Sequence, residues 1–300
     1  MNVRCAAWLV LAGCAGGAET DSAVETDAIC PAPAASTTVA SGYLNGTEGL
    51  TIAPDGTLYA TARGGSLDVL PVDGVPSRLV ALGNPVGATW WHGAVWVAVG
   101  ADDQGQPAPA VVEVTPAGAA TRHETPTIAA PNFVTPTPWG TLLVSDDFGD
   151  VVYEWRAEGD VIAWTDQVPS PNGMAFSADG TTLYVASTFR EPGLWAVAID
   201  GQGAGATTKL ATFEASQTPD GIAVGADGSV YVALNLGNAV ARWSADEPTP
   251  TVVATPSTPA SLVFGRGDRP ACELVATSLF GSEVTSFGVT TPGLFPAWAD

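Results

Sequence analysis

The strongest constraint on the fold is a phrase that the chain repeats six times: a leading dipeptide, a short apolar stretch, a turn carrying glycine, then a second stretch rich in Val, Leu, Tyr or Trp. The copies begin at Thr47, Pro85, Pro131, Pro171, Pro219 and Pro259. Their second residues are Glu48, Val86, Asn132, Asn172, Asp220 and Ala260, separated by 38, 46, 40, 48 and 40 positions. A period of roughly 40 residues with one strand hairpin per unit is the pattern of propeller blades. The expected fold is therefore all-β, a six-bladed β-propeller of four-stranded antiparallel blades around a central channel. Asp55-Gly56, Asp179-Gly180 and Asp227-Gly228 supply the positive φ angles that tight hairpins demand. A third strand follows each pair, as at Val111, Val151 and Ala239, whereas the fourth is less legible. For the last blade, residues 36–41 are expected to supply it, since propellers commonly close their ring with a strand from the opposite terminus. With 34 Gly and 24 Pro in 300 residues, long helices are disfavoured throughout.

Ten Lys and Arg against 31 Asp and Glu leave a net charge of -21. That is the wrong sign for neutralising phosphates, which excludes nucleic-acid binding and polybasic docking to anionic lipid, and favours cationic ligands.

The first 40 residues have another logic. Residues 1–13 hold one Arg and a short apolar run, too few residues to span a bilayer, and are expected to be a targeting segment. Leu11-Ala12-Gly13-Cys14 resembles the lipobox of bacterial lipoprotein signal peptides, which implies cleavage before Cys14 and lipidation of its thiol. Residues 14–40 are expected to be the lipidated cysteine and an acidic flexible tether, carrying Glu19, Asp21, Glu25 and Asp27, and residues 41–300 the propeller. The expectation is an exported monomer, attached to the bacterial envelope only through its lipid and facing the periplasm or the cell surface. Cys5 leaves with the signal and Cys14 takes the lipid, so Cys30 and Cys272 remain to form a disulfide in an oxidising compartment.

Because every copy starts its innermost strand at the same point, the six second residues should form a ring on one rim of the channel. Glu48, Asn132, Asn172 and Asp220 offer hard oxygen donors; Val86 and Ala260 do not. Each Pro-Asn or Pro-Asp alone is an ordinary turn former. Together, two carboxylates and two amides suit Ca2+, with another divalent cation as the alternative, since acids sharing a channel repel unless a cation neutralises them. Zinc is disfavoured: His92 and His123, the only histidines, stand elsewhere, one in a hairpin turn and one in a loop, and are expected to be structural.

The stretches SPNGMAFSADGTTLYVAS and TPDGIAVGADGSVYVA carry a resemblance to the SMP-30/gluconolactonase/LRE family, six-bladed propellers that also resemble diisopropyl fluorophosphatase. The resemblance covers roughly residues 46–288. It implies a catalytic Ca2+ held by Glu48, Asn132, Asn172 and Asp220, from the first, third, fourth and fifth blades, and hydrolysis of a small-molecule lactone, ester or phosphotriester. Asp220 would then act as base or nucleophile. Sugar lactonases of the family tend to carry an Arg two residues before the third-blade Asn; Ala130 stands there, which argues against a polyol substrate. The alternative is a noncatalytic envelope propeller whose structural Ca2+ supports binding of a glycan or a protein.

Other signals are weaker. Arg266-Gly267-Asp268 needs no explanation beyond a hairpin turn, and the glycines at 201, 203 and 205 have no strand-to-helix context for cradling phosphate. Asp146, Asp147 and Asp150 are expected to form a solvated acidic loop, with outer-shell carboxylates or a second ion as the alternative. No Gly-x-Ser-x-Gly elbow is present to support a serine hydrolase.

Overall fold

The structure is a computed structural model that describes residues 30, 35–43, 46–102, 105, 107–156 and 159–300. The targeting segment, Cys14 and most of the tether lie outside the described residues. Among those described, 24 strands form six four-stranded antiparallel sheets with no α-helix; a 3-10 turn, Ala297–Ala299, is the sole helical element. Five sheets are built from consecutive strands, and their innermost strands are Thr47–Ile52, Asn84–Trp91, Pro131–Pro136, Pro171–Phe176 and Pro219–Val224. The sixth runs Pro259–Phe264, Glu273–Ser278, Glu283–Gly288 and, on its outer edge, Thr37–Ser41. The strand from the N-terminal side thus closes the ring as expected. Its start at Thr37 places the last residues of the expected tether inside the propeller.

Cys30 and Cys272 are joined in a disulfide with their Cα atoms 5.7 Å apart, fastening the segment ahead of the closing strand to the last blade. Closure here is both hydrogen-bonded and covalent.

The hydrophobic core lies between neighbouring blades rather than at one centre. Leu143 and Val152 of blade three meet Met174, Phe176 and Val185 of blade four, which in turn presents Ala186 and Leu194 to Ile222, Val224 and Val232 of blade five. This follows from strand alternation, in which both faces of each blade are apolar because each is covered by a neighbour. Outermost strands such as Ala120–Glu124 and Thr251–Ala254 are covered least.

Two sequence expectations change in the structure. His123 lies in the fourth strand of blade two rather than in a loop; its structural role holds, since its ring stacks on Trp96 at 5.8 Å and meets Trp155 at 5.1 Å. Asp146 and Asp147 are buried rather than solvated. The cause is backbone demand: Asp146 Oδ1 accepts the Gly149 N–H at 2.8 Å and Oδ2 accepts those of Ala129 and Ala130 at 3.1 and 3.4 Å. Asp150 accepts the Ser170 N–H at 2.6 Å and pairs with Arg190.

The C-terminal residues pack across one end of the channel. Arg266 donates to the Asp300 carboxylate and to the Ile52 carbonyl, both at 2.6 Å, and its guanidinium stacks over Phe295. The Asp300 carbonyl accepts the His92 N–H at 2.7 Å. The other end is open.

Candidate metal and substrate site

At the start of every innermost strand the ladder with the second strand is interrupted. Pairing skips from Thr47 to Leu50, Pro85 to Ala88, Pro131 to Val134, Pro171 to Met174, Pro219 to Ile222 and Pro259 to Leu262. The two residues released each time include the one singled out in the repeat. Bulges re-aim side chains, and here the same bulge, repeated six times, sets five of those residues, all but Ala260, around one cavity.

Released backbone groups still need partners, and hydroxyls on the second strands provide them. Thr61 accepts the Gly49 N–H at 2.7 Å and donates to the Val86 carbonyl of blade two at 2.6 Å. Thr277 of blade six accepts the Ser261 N–H at 2.8 Å and donates to the Glu48 carbonyl of blade one at 2.6 Å. Neighbouring inner strands approach so closely that a Cβ on Gly173 would lie 2.5 Å from the Asp220 carbonyl oxygen. Glycine is required there by space.

Glu48, Asn132, Asn172 and Asp220 all line one cavity of about 630 Å3 at the open end, with Val86 beside them; Ala260 does not reach it. Asp147, which the sequence placed in solvent, lines it too and is only 5% exposed. The signal that could have revealed it is its position, one residue beyond the point where the second strand faces the leading proline: Pro131 pairs with Asp146.

The electrostatics are those of crowded acids. Burial pushes the Glu48 carboxyl up to about 7, against a weaker lowering by Arg63. Asp147 is likewise pushed up to about 7, first by burial and then by repulsion from Glu48 and Asp146. Asp220 is raised well above the ordinary carboxylate range by burial and by the charges of Glu48 and Asp147, despite hydrogen bonds from the Gly221 N–H and from Asn172. Asn132 spends its amide N–H on Asp147 at 3.2 Å. Asn172 is 3% exposed, and its Oδ1 has no hydrogen-bond partner.

That donor set fits a hard divalent cation. The amide hydrogens serve carboxylates, an amide oxygen is left buried and unpaired, and three acids share a space that disfavours their charge. No group of three or more His, Cys, Asp or Glu side chains is arranged as a metal cluster among the described residues, so the fit depends on counting the two amides as ligands.

Residues 137–278 match the SMP-30/Gluconolactonase/LRE-like region. Among solved structures, the chain is similar to a gluconolactonase from Xanthomonas campestris at 19% identity, covering 85% of this chain and 89% of that one, with a TM-score of 0.71. A calcium-binding protein, regucalcin, from Agrobacterium tumefaciens is similar at 20% identity over 88% and 97% of the two chains, TM-score 0.70. Virginiamycin B lyase from Staphylococcus aureus superimposes less well, at 16% identity over 81% and 80%, TM-score 0.58. No curated protein sequence matched. At such identities the structural likeness speaks for the fold; together with the matched region it shows that the chain resembles the SMP-30/gluconolactonase/LRE-like propellers.

Proposed function

We propose that the protein is a metal-dependent hydrolase of the lactonase type, acting on lactones or esters at the open end of its channel. The observation that carries this is the cluster of Glu48, Asp147 and Asp220 with Asn132 and Asn172 in one cavity, acids held above their ordinary pKa with a buried amide oxygen unpaired among them. The matched family region and the gluconolactonase and regucalcin likenesses support it.

Glu48, Asn132, Asn172 and Asp220 would hold the ion, most naturally Ca2+ given all-oxygen ligands. Such an ion, when bound, supplies Lewis-acid polarisation of a carbonyl or phosphoryl oxygen. Asp220 accepts the Gly221 N–H and a hydrogen bond from Asn172, which fixes its orientation. From that position it would take the proton of a water attacking the carbonyl carbon, or attack that carbon itself to give an acyl-enzyme that water then hydrolyses. By either route the acyl C–O bond breaks and its oxygen leaves, protonated, as the hydroxyl of the product. Asp147 accepts the Asn132 amide N–H and adds negative charge that raises Asp220, and is itself raised by Glu48. Export and lipid attachment through Cys14 belong to the same proposal, placing the enzyme in the bacterial envelope.

The test is hydrolysis of a panel of lactones, aryl esters and phosphotriesters by the protein with Ca2+ or with chelator. Turnover that chelator abolishes and Ca2+ restores is expected, and Asp220→Asn should eliminate it at saturating Ca2+. If the ion binds and nothing in the panel turns over, the noncatalytic binding propeller takes the place of this reading.

A further inference from the structure

The wall and lip of the cavity are built by the same repeat that builds its floor. The residue facing the leading position of each innermost strand is, in blade order, Ala62, Val99, Asp146, Ser187, Leu234 and Ser278. Two positions further on stand Gly64, Ala101, Phe148, Phe189, Leu236 and Phe280. Blades one and two therefore offer small residues at the lip, while blades three to six offer four large apolar ones.

Those four side chains are 68, 53, 54 and 61% exposed, and all four line the cavity that holds the acids. The remaining exposed large hydrophobics, Val75, Ile162, Val252 and Val253, do not line it. Phe148 and Phe189 stack with ring centroids 5.2 Å apart, joining blades three and four into one apolar surface, and Arg63 lies over the Phe280 ring at 5.2 Å. Exposed apolar surface continuous with a polar cavity is an incomplete contact, one that a ligand with an apolar portion completes.

We infer that the site takes a lactone or ester bearing an apolar alkyl or aryl arm, held against Phe148, Phe189, Leu236 and Phe280 while the polar ring or ester group reaches the acids below. This specifies the substrate class of the hydrolase proposed above and rests on it. A polyhydroxylated lactone would leave this lip uncovered and bury hydroxyls against phenyl rings, at the cost of their hydration. The lip is continuous with the cavity and the chain carries a net charge of -21, so an apolar arm of a small molecule suits it better than an anionic lipid surface.

The test separates binding from turnover. Full-length Cys14→Ser protein is titrated calorimetrically with γ-lactams bearing ethyl, butyl, hexyl and octyl chains, and kcat/KM is measured for the matching γ-lactones. Affinity and kcat/KM should each rise at least about twofold per added methylene, below the roughly fourfold ceiling that complete burial of a methylene sets. Phe148→Ser and Phe189→Ser, each checked for an unchanged melting temperature, should flatten that slope in both measurements. Lactam affinity independent of chain length, or variants that keep the wild-type slope, would overturn the inference whether or not lactones are hydrolysed. A rising affinity with no lactone turned over would leave the apolar arm site standing and remove the hydrolase. Co-sedimentation with phosphatidylcholine vesicles, lost in both Phe variants and unaccompanied by any chain-length effect on lactam affinity, would assign the lip to a lipid surface instead and overturn the inference.

Discussion

The crowding of acids at the channel mouth has a measurable consequence for stability. Without a cation, the folded protein holds protons on Glu48 and Asp147 up to about pH 7, whereas the unfolded chain releases them near their ordinary values of 4.5 and 3.8. Between those limits the native state binds more protons than the unfolded state, so stability must fall as pH rises. For Glu48 alone, a shift from 4.5 to about 7 corresponds to roughly 3 kcal/mol. Glu48 contributes to the Asp147 shift, so the two do not add fully. A combined loss of roughly 3–5 kcal/mol is expected, or about 6–15 °C in Tm for a chain of this size. Calorimetric melts in chelator across about pH 5 to 8 measure it directly, and the same melts at saturating Ca2+ should be nearly flat, since a bound ion favours the charged forms. Ca2+ should therefore raise Tm much more at the alkaline end than at the acidic end. Glu48→Gln should reduce the slope in chelator and, unusually for loss of a buried charge, leave the metal-free protein more stable than wild type at pH 8. A flat or rising stability in chelator, or an equal Ca2+ increment at both ends of the range, would refute the reasoning.

Three further outcomes are expected. Gly173→Ala should cost several kcal/mol and weaken Ca2+ binding in calorimetric titration, because its Cβ would press within 2.5 Å of the Asp220 carbonyl and 2.6 Å of the Gly221 Cα, where backbone has to move. Glu154→Gln should destabilise by about 2–4 kcal/mol in urea unfolding, since the buried carboxylate accepts hydrogen bonds from Trp139 and Thr141, each at 2.8 Å, and from Arg156. Its pKa is lowered despite burial, by these partners, so its contribution is present above the ordinary value and is lost as acid carries the pH down through the lowered one. Cys14→Ser should release the protein from membranes into the soluble fraction; retention after a high-salt wash would remove the lipid attachment.

Much of the fold was legible because each blade is a local hairpin. Asp-Gly turns and alternating apolar residues mark strands one and two, and the repeat fixes how many blades there are. The fourth strands were obscure because only one side of the chain has a neighbour to bury: Thr251–Ala254 is mostly exposed despite two valines. Asp147 was misjudged because Ser-Asp-Asp-Phe-Gly-Asp has the composition of a solvated turn. Nothing local distinguishes Asp146, consumed by three backbone N–H groups, from Asp147, which faces Asn132 in the cavity. That distinction comes from the ring, as does the bulge at each innermost strand, whose hydrogen bonds run from one blade to the next.

The two ends of the channel show why a repeat this regular makes a site on one face alone. All six innermost strands run from the open end toward the C-terminal residues, so every bulge falls at the same end and five of the six residues it re-aims line one cavity. At the opposite end the inner strands finish in apolar side chains such as Ile52, Phe176, Val224 and Phe264, which the chain covers with Phe295, Trp298 and the Arg266–Asp300 pair. The acids are therefore reached from the end where blades three to six present Phe148, Phe189, Leu236 and Phe280 and blades one and two present small residues. Conversion of the second-blade Val86 or the sixth-blade Ala260 to acids would add charge to a ring that already holds Glu48 and Asp220 well above their ordinary pKa. Two apolar residues, two amides and two carboxylates in the ring, with Asp147 hydrogen-bonded to Asn132, give acids that resist ionising without a cation, which is the balance the metal site proposed above requires.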